Sequence, residues 1–361
     1  MSTEVTGRDR LPFSWSAATG MHAYGKLAGI SQERLFLDAD AIAEAYHVGR
    51  PLAEEAYGPD VSMGGPGWLG ISYGHVNTLG CPLIYPIDSE IAHQPIHRSL
   101  AAGISALQRP VDFATAGRFP FYLRLWNELQ RRFPRERLPF AGLGAEGPLT
   151  TAWSLRGHDF FTDLFDAPDQ VRHYLLLITR SIAAYNALVR QLNGQPAFSS
   201  DSVSLADDVA AMVPPRLWPT LVLPFLDDYF AVQTSGPRRA HIEDLSVAHL
   251  PFLDRLRLAS FDPSVSPQLT PARLRDHCQV PFSWRLNSTQ YPAMSIEAIV
   301  RWVFEAAADG ATSVWTYAWW PYCEPDKVRA FIAAAKQVVQ LLQSGCTRYE
   351  LRRRCPVGPV A

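Results

Sequence analysis

A histidine and a glutamate stand two residues apart near the end of a predicted strand, at His241 and Glu243. Alternate residues of a strand point to the same face, so both side chains can converge at one rim. Imidazole and carboxylate are suitable ligands for a divalent metal, and Asp262 or Cys323 would complete a tetrahedral site with one open position. A His–Glu hydrogen-bonded pair that only orients substrate or fixes a loop explains the same spacing, because two-residue ligand signals are weak.

Candidate proton-transfer groups follow other predicted strands. Asp201 ends one strand, where a carboxylate can accept a proton or hold an ammonium group. Asp207 and Asp208 come next, just before a proline-initiated helix, where a capping role explains them as well as catalysis does. Tyr317, near the rim of the last strand, joins Asp201 and Asp208 as a candidate catalytic residue.

A second set of strand-end residues predicts substrate binding. Arg285 is the only arginine at any predicted strand end, and its planar fork suits a carboxylate or a phosphate. An ion pair with Asp262 or Glu243 is the alternative for this arginine. The other candidate substrate-binding residues are Asn287, Trp319, His75 and His22. Histidines in such positions are more often structural residues, and this is the alternative for both.

Aromatic residues cluster on the last predicted strand. Trp315, Tyr317 and Trp319 share one face by the two-residue period of a strand. The two nearer the rim suit a flat or cationic ligand, through stacking or cation–π contact. We expect Trp315 to pack within the protein instead.

Strands and helices alternate along the chain. Five strands are predicted at 196–201, 238–242, 256–261, 280–286 and 313–319, and the helices that follow them at 215–230, 246–254, 271–277, 295–308 and 325–343. Such pairs imply parallel strands with right-handed crossovers. Upstream strands at 11–17, 83–86 and 138–143 bring the number to eight, which predicts a (β/α)8 TIM barrel, an α/β fold with its active site at the carboxyl ends of the strands.

The whole chain, 1–361, is expected to form one domain on this barrel. Residues from about 20 to 80 exceed one crossover and predict an N-terminal helical insertion near the barrel mouth, and residues 346–361 form a tail. Within the last long helix, apolar residues recur every three or four positions from Val328 to Leu342, so one face of this helix should pack against the outside of the barrel.

Three signatures follow one another between Gly147 and Glu243. They are Gly-Pro-Leu-Thr-Thr-Ala-Trp-Ser-Leu-Arg-Gly at 147–157, the segment from Asp-Asp-Val to Val-Leu-Pro at 207–224, and Arg-Ala-His-Ile-Glu-Asp at 239–244. Together they resemble the uroporphyrinogen decarboxylase superfamily, which includes cobalamin- and thiol-directed methyltransferases. The resemblance implies the same barrel. The superfamily's decarboxylases are often dimeric, which is compatible with a homodimer but leaves the oligomeric state open.

The methyltransferase branch of this superfamily binds zinc with a His-x-Cys pair and a later cysteine, and the metal activates a thiol. This chain keeps His241, has Glu243 in place of the first cysteine, and has Cys323 a few residues late. These departures favour a harder site of nitrogen and oxygen ligands. The resemblance also implies a corrinoid, or a corrinoid protein, as methyl donor or acceptor.

The decarboxylase branch holds a polycarboxylate macrocycle with an aspartate and an arginine-rich segment. The matching segments, 71–80 and 16–24, have no carboxylate and no arginine, respectively. Uroporphyrinogen itself is therefore not the expected substrate.

Composition excludes several classes of protein. A formal charge of −2 provides no basic field for nucleic acid. No run of about 18 apolar residues is present, and the first residues lack an apolar signal core, so we expect a soluble, cytoplasmic protein without membrane contact. Five cysteines without a C-x-x-C pair make a disulfide framework improbable.

Three functions fit these observations. The leading one is a metal-dependent methyltransferase or demethylase acting on a small substrate, with zinc held by His241, Glu243 and a third ligand. The second is a lyase, decarboxylase or hydrolase whose small carboxylated substrate is held by Arg285. The third is a binding protein that holds a corrinoid or tetrapyrrole without turnover.

Overall fold

The computed structural model describes residues 11–87, 89–264 and 266–358. Its strands are β1 (Ser14–Thr19), β2 (Ser62–Met63), β3 (Leu83–Ile84), β4 (Ala92–His93), β5 (Val203–Ala206), β6 (Arg238–His241), β7 (Leu258–Asp262), β8 (Ser283–Arg285) and β9 (Ser313–Tyr317). Among the described residues, no helix is both long and apolar enough to span a bilayer.

Helices make up most of the regular structure. The α-helices are α1 (Met21–Leu27), α2 (Gln32–Leu37), α3 (Ala39–Glu44), α4 (Arg50–Tyr57), α5 (Gly74–Thr78), α6 (Leu100–Leu107), α7 (Phe119–Arg132), α8 (Pro148–Arg156), α9 (Asp159–Asp166), α10 (Pro168–Leu192), α11 (Trp218–Leu221), α12 (Leu223–Ala231), α13 (Leu250–Leu253), α14 (Pro271–His277), α15 (Ile296–Ala308), α16 (Pro325–Gln343) and α17 (Arg348–Arg354). Short 3-10 segments span Asp208–Met212, Pro215–Leu217, Val247–His249, Asp254–Leu256 and Ser288–Ala293, and a π-helical segment spans Ala45–Gly49.

The chain divides into two compact units. The terminal unit comprises the described residues of Met1–Gly29, Glu44–Gly64 and Glu243–Ala361. The central unit comprises Ile30–Ala43 and Gly65–Ile242. Between residues 20 and 80 the structure contains α1 to α5, the π-helical segment and β2.

A parallel sheet forms the core of the terminal unit, with the strand order β2-β1-β9-β8. β1 and β9 pair from Ser14 opposite Ser313 to Ala18 opposite Tyr317. β8 pairs with the other edge of β9, where Arg285 lies opposite Trp315. A single parallel bridge from Phe261 to Phe282 adds β7 beside β8. The carboxyl ends of these strands therefore lie at one edge of the sheet.

Long amphipathic helices pack against one face of this sheet and bury it. α16 has the predicted bounds, 325–343, and buries Val328, Phe331 and Val338 from the predicted face. β9 in turn buries Val314 and Thr316, whereas Trp315 and Tyr317 on its opposite face are only half-buried. The open face of the strand is thus the one that carries the aromatic residues.

In the π-helical segment, Gly49 packs directly on the backbone of α1. A Cβ added at Gly49 would lie 2.0 Å from the carbonyl oxygen of Tyr24. Real Cβ atoms do not approach so closely, and this carbonyl belongs to the backbone, which cannot rotate away. Glycine at this position is therefore what lets the two helical segments meet.

The central unit contains a parallel pair and a helical layer. β5 and β6 pair from Val203 opposite Arg238 to Ala206 opposite His241. A parallel bridge joins Ile71 to Leu143, and the Gly147 amide donates to the Ala206 carbonyl at 2.6 Å. The 25-residue helix α10 is the longest described and buries one face within this unit.

Three predicted strands are corrected by the structure. The run 83–86 forms β3, which pairs antiparallel with β4 in a small hairpin instead of joining a parallel sheet. The run 138–143 contributes only the bridge at Leu143. The strand placed at 196–201 instead spans Val203–Ala206. Short runs of this kind give such errors because they are too short to show a clear period.

The predicted tail at 346–361 contains a packed helix, α17. Thr347 and Glu350 form a capping box, and Leu351 is fully buried. Arg348 donates to the carbonyls of Ala307 and Ala311, at 2.7 and 2.8 Å. The C-terminal segment up to Arg354 thus belongs to the terminal unit.

Candidate active site

Asp207 caps the amino end of α8 and so joins two of the three signatures. Its fully buried carboxylate accepts hydrogen bonds from the Leu149 amide at 3.0 Å and from the Thr150 amide at 2.7 Å. The Thr150 hydroxyl donates a third bond at 2.8 Å. The Leu149 and Thr150 N–H groups, in the first turn of α8, have no partner within the helix. A carboxylate at this position also suits the positive end of the helix dipole.

Gly147 provides the room that this cap requires. A Cβ at Gly147 would lie 2.5 to 2.6 Å from the Asp207 carboxyl atoms. The backbone of Gly147 is in an ordinary extended conformation, with φ of −68°. Contact with Asp207, and not backbone strain, therefore explains glycine at this position.

Glu146, the residue before this glycine, is a half-buried acid beside other carboxylates. The pKa of Glu146 is raised to about 7, chiefly by burial and also by the charges of Asp208 and Asp207. A hydrogen bond from Ser72 and the charge of His241 act in the opposite direction. Near neutral pH such a group exchanges protons readily, as a general acid or base must.

His241 and Asp208 lie next to each other in the central unit. His241 ends β6, and Asp208 follows β5, its parallel neighbour. The Nε2 of His241 is 3.8 Å from Oδ1 of Asp208, within ion-pair range but longer than a hydrogen bond. Both side chains are half-buried. With Glu146, they form a cluster of three ionisable groups, hereafter the acid–base cluster.

Aromatic rings border the acid–base cluster within the central unit. Tyr73 lies against His93, with ring centroids 4.3 Å apart and an angle of 57° between the rings, and His93 meets Trp153 edge to face at 5.6 Å. Burial raises the pKa of Tyr73, and the charges of Glu146 and Asp208 are among the further causes, which places this ring near the cluster. The Tyr73 ring is therefore one of the groups around the cluster.

The terminal unit has its own group of strand-end side chains. Tyr317, at the end of β9, has its hydroxyl 2.6 Å from the position of a Cβ on Gly20. Two residues further along the chain, Trp319 stacks on His22, with centroids 4.3 Å apart and an angle of 21° between the rings. The structure therefore brings together three residues that the sequence placed at a binding surface.

Arg285 has no carboxylate partner among the described residues. Its guanidinium lies over the Trp315 ring, 4.8 Å from the centroid, and its Nη1 is 3.5 Å from the Ser264 hydroxyl. No acidic oxygen of the described chain lies within the 4.0 Å limit of an ion pair, so the alternative pairings with Asp262 and Glu243 are absent.

The predicted metal ligands do not gather into a site within the described part of the chain. No three His, Cys, Asp or Glu side chains there are grouped as a metal ion would require. β6 ends at His241, so Glu243 does not share a strand with it. The Asp262 carboxylate accepts a hydrogen bond from the Ser264 amide at 2.9 Å and so caps its own loop. This arrangement does not fit a zinc ion held by the predicted ligands.

Cys323 also differs from a prepared zinc ligand. It is fully buried, and burial raises the pKa of its thiol to about 11, which keeps it protonated at neutral pH. Its Sγ is 4.0 Å from the Tyr317 carbonyl, and its own carbonyl accepts the Tyr57 hydroxyl at 3.0 Å. These contacts account for the residue as part of the core of the terminal unit.

Three further predicted residues are found in structural positions. Asp201 is exposed and precedes β5, so the expectation that it ends a strand is wrong. His75 is fully buried in α5, and its Nε2 lies 2.8 Å from the Ser181 hydroxyl. Asn287 caps the 3-10 segment that follows β8 through the Thr289 amide at 3.0 Å. The contacts of His75 and Asn287 explain these two side chains without a ligand.

Glu146 is the functional candidate to which the sequence assigned no role. It could be placed after a predicted strand, but nothing in its neighbours along the chain indicates a raised pKa. That shift comes first from burial and then from the charges of Asp208 and Asp207, which are distant in sequence and adjacent to Glu146 only in the fold. Its position directly before the Gly147 signature is the one local signal.

Comparison with known proteins identifies a similar fold. No protein-family model matches the chain, and no curated protein matches it. A solved structure of a methyltransferase from Methanosarcina mazei is similar, with a TM-score of 0.66 and 17% sequence identity. The similarity covers 91% of this chain and 94% of that one. The fold is thus a mixed α/β arrangement with parallel sheets, as in that methyltransferase.

Proposed function

We propose that this chain is an enzyme of the uroporphyrinogen decarboxylase and methyltransferase superfamily, and that it transfers a methyl group between small molecules. The observation that carries the proposal is the acid–base cluster at the ends of β5 and β6, where the second and third signatures meet. The fold similarity to a methyltransferase over nearly the whole chain supports it. In this proposal the chain forms one closed (β/α)8 barrel.

The acid–base cluster can handle the proton that methyl transfer releases. An acceptor hydroxyl, amine or thiol attacks the methyl carbon, a bond to carbon forms, and the donor leaves with the electrons of the broken bond. The acceptor must give up its proton, and a carboxylate with a pKa of about 7 is well matched to accept it at neutral pH. Asp208 stabilises the positive charge on His241 if the imidazole accepts the proton instead.

Zinc and a corrinoid remain predictions from the sequence. The donor set does not fit the predicted zinc site, so no step is assigned to a metal here. Elemental analysis of protein purified without chelators tests the zinc prediction directly. One equivalent of zinc that is lost in His241→Ala would support it, and equal metal content in both proteins would contradict it.

The central experiment is a transfer assay with isotopically labelled methylcobalamin and a panel of small thiols, alcohols and amines. We expect label in an acceptor with the wild-type protein and a loss of about 100-fold or more in Glu146→Gln, which cannot take up the proton. Glu136→Gln, in the same unit, is the control and should retain full transfer. Absence of transfer to every acceptor, or full transfer by Glu146→Gln, would contradict the proposal.

A lyase acting on a small carboxylated substrate is the second candidate. It is favoured by Arg285, whose charge has no carboxylate partner among the described residues. After loss of carbon dioxide, the electrons left on carbon require a proton, which an acid or water must donate. Release of carbon dioxide from candidate acids, without methyl transfer, would favour this function.

A further inference from the structure

We propose that Arg285 and Tyr317 bind the carboxylate of a small organic acid, with the His22–Trp319 stack as the wall against which its apolar part lies. This site lies within the terminal unit and goes beyond the proposed function, whose acid–base cluster belongs to the central unit. All four residues belong to the terminal unit, and they lie at or just beyond the carboxyl ends of β1, β8 and β9.

Strand register places the two polar groups on one side of the sheet. Arg285 lies opposite Trp315 in the pairing of β8 with β9, and its guanidinium covers the Trp315 ring. Tyr317 is two residues beyond Trp315, so its side chain projects from the same face. Arg285 and Tyr317 therefore face the same space above Trp315.

The guanidinium of Arg285 has unused hydrogen-bonding capacity. Its Nε is buried and has no hydrogen-bond acceptor among the described residues, and its contact with the Ser264 hydroxyl, at 3.5 Å, is long. Arginine stays charged at all accessible pH values, and a half-buried charge without a counter-ion is unfavourable. A ligand carboxylate would supply both the acceptor and the counter-charge, in the planar geometry that a guanidinium matches.

Tyr317 adds an uncharged donor. Burial raises the pKa of its hydroxyl to about 12, so the proton stays on the oxygen at neutral pH. Gly20 leaves room for this hydroxyl, since a Cβ there would lie 2.6 Å from it. The phenol can therefore donate a hydrogen bond to an anion that Arg285 holds.

The wall is flat and uncharged near neutral pH. Burial lowers the pKa of His22 to about 4, so the imidazole stacked on Trp319 is neutral. An uncharged pair of rings favours an apolar or planar group through stacking and burial of apolar area. The combination selects a small carboxylic acid with an apolar or aromatic body.

Equilibrium binding tests this site without any turnover, so failure of methyl transfer and failure of this proposal are distinguishable. The probes are benzoate, its uncharged analogue benzamide, and inorganic phosphate, each titrated into the full-length protein and followed by ligand-observed NMR. We expect wild type to bind benzoate at least 10-fold more tightly than benzamide. Arg285→Gln should lower the affinity for benzoate at least 10-fold and leave the affinity for benzamide unchanged. Tyr317→Phe should lower the affinity for benzoate about threefold.

The matched control is Arg255→Gln, which removes an exposed arginine from the same unit and should bind benzoate as wild type does. If Arg285→Gln does not fold, Arg285→Lys keeps the charge, lacks the planar fork, and should bind benzoate about threefold to tenfold more weakly than wild type. Unchanged benzoate affinity in the folded Arg285 variant would overturn the proposal. Binding of phosphate without binding of benzoate would also overturn it.

Discussion

At the scale of single residues, two carboxyl groups with similarly raised pKa values serve different purposes. Asp207 is fully buried and satisfied by three donors, so it holds a helix in place. Glu146 is half-buried and lies beside Asp208 and His241, where a proton can be exchanged with a ligand. The hydrogen-bond partners of each group, and not its pKa alone, separate the structural acid from the candidate general acid or base.

Glu146→Gln should stabilise the protein at high pH and not at low pH. Below pH 4.5 the folded and unfolded chains both keep the Glu146 proton. Between pH 4.5 and about 7 the unfolded chain loses this proton before the folded chain does, so the free energy of unfolding falls as pH rises. Above pH 7 both states have lost the proton, and the lost stability is not regained. Glutamine cannot ionise and avoids this loss.

Urea unfolding at pH 4.5 and pH 8 measures the effect. We expect Glu146→Gln to be more stable than wild type by about 1–3 kcal/mol at pH 8 and to gain little at pH 4.5. Glu55→Gln, at an exposed position, is the control and should not change the difference between the two pH values. A destabilised Glu146→Gln at pH 8 would show that the acid is not held in an unfavourable charged state.

At the scale of elements, the amino end of α8 depends on a residue 57 positions away from Thr150. Asp207 satisfies backbone N–H groups that the helix leaves free, and Gly147 leaves space for its carboxylate. The sequence showed these residues in two separate signatures. It could not show that they touch, because their proximity follows from the hydrogen bond between Gly147 and the end of β5.

Gly147→Ala and Asp207→Ala should be strongly coupled. Each alone should lower the free energy of unfolding, Gly147→Ala by about 1–3 kcal/mol through overpacking and Asp207→Ala by about 2–4 kcal/mol through unsatisfied amides. In the double variant the new methyl group occupies space that the carboxylate has left. Urea unfolding of the four proteins should therefore give a combined loss smaller than the sum by at least about 1 kcal/mol, and additive losses would contradict the contact.

The elements best predicted from the sequence carry their own start signals and a long period. α14 and α16 have the predicted bounds because each begins with a proline, and α16 also has a regular apolar face. Strand ends were less certain. The observed β5 lies a few residues later than the predicted strand, so Asp201 precedes the strand and does not end it. A site assigned from predicted strand ends is only as accurate as the positions of those ends.

At the scale of the whole molecule, the two ends of the chain are brought into one unit. β1, near the amino terminus, pairs with β9, which lies about 300 residues later, and the Thr19 hydroxyl donates to the Ala318 carbonyl at 2.7 Å. Among the described residues, the other strand paired with β1 is the two-residue β2. The terminal unit therefore cannot be completed until the last third of the chain is present.

A chain that ends at Ile242 should leave residues 11–29 unfolded, because β9 is missing. Limited proteolysis followed by mass spectrometry should show cleavage within this segment at least 10-fold faster than in the full-length protein. Addition of a separate fragment, 243–361, should restore protection if the two fragments reassociate. Equal protection in the truncated chain would show that β1 folds without its partner.

The packing at Gly49 determines which changes in its codon can be inherited. Its hydrogen faces the carbonyl of Tyr24 at a distance that excludes any Cβ, whereas Gly65 has no atom within 4 Å of the same position. Every amino acid other than glycine has a Cβ, so each missense change in codon 49 forces apart two helical segments beside the strand ends. Codon 49 should therefore accumulate only silent changes over generations, while codon 65 is free to drift.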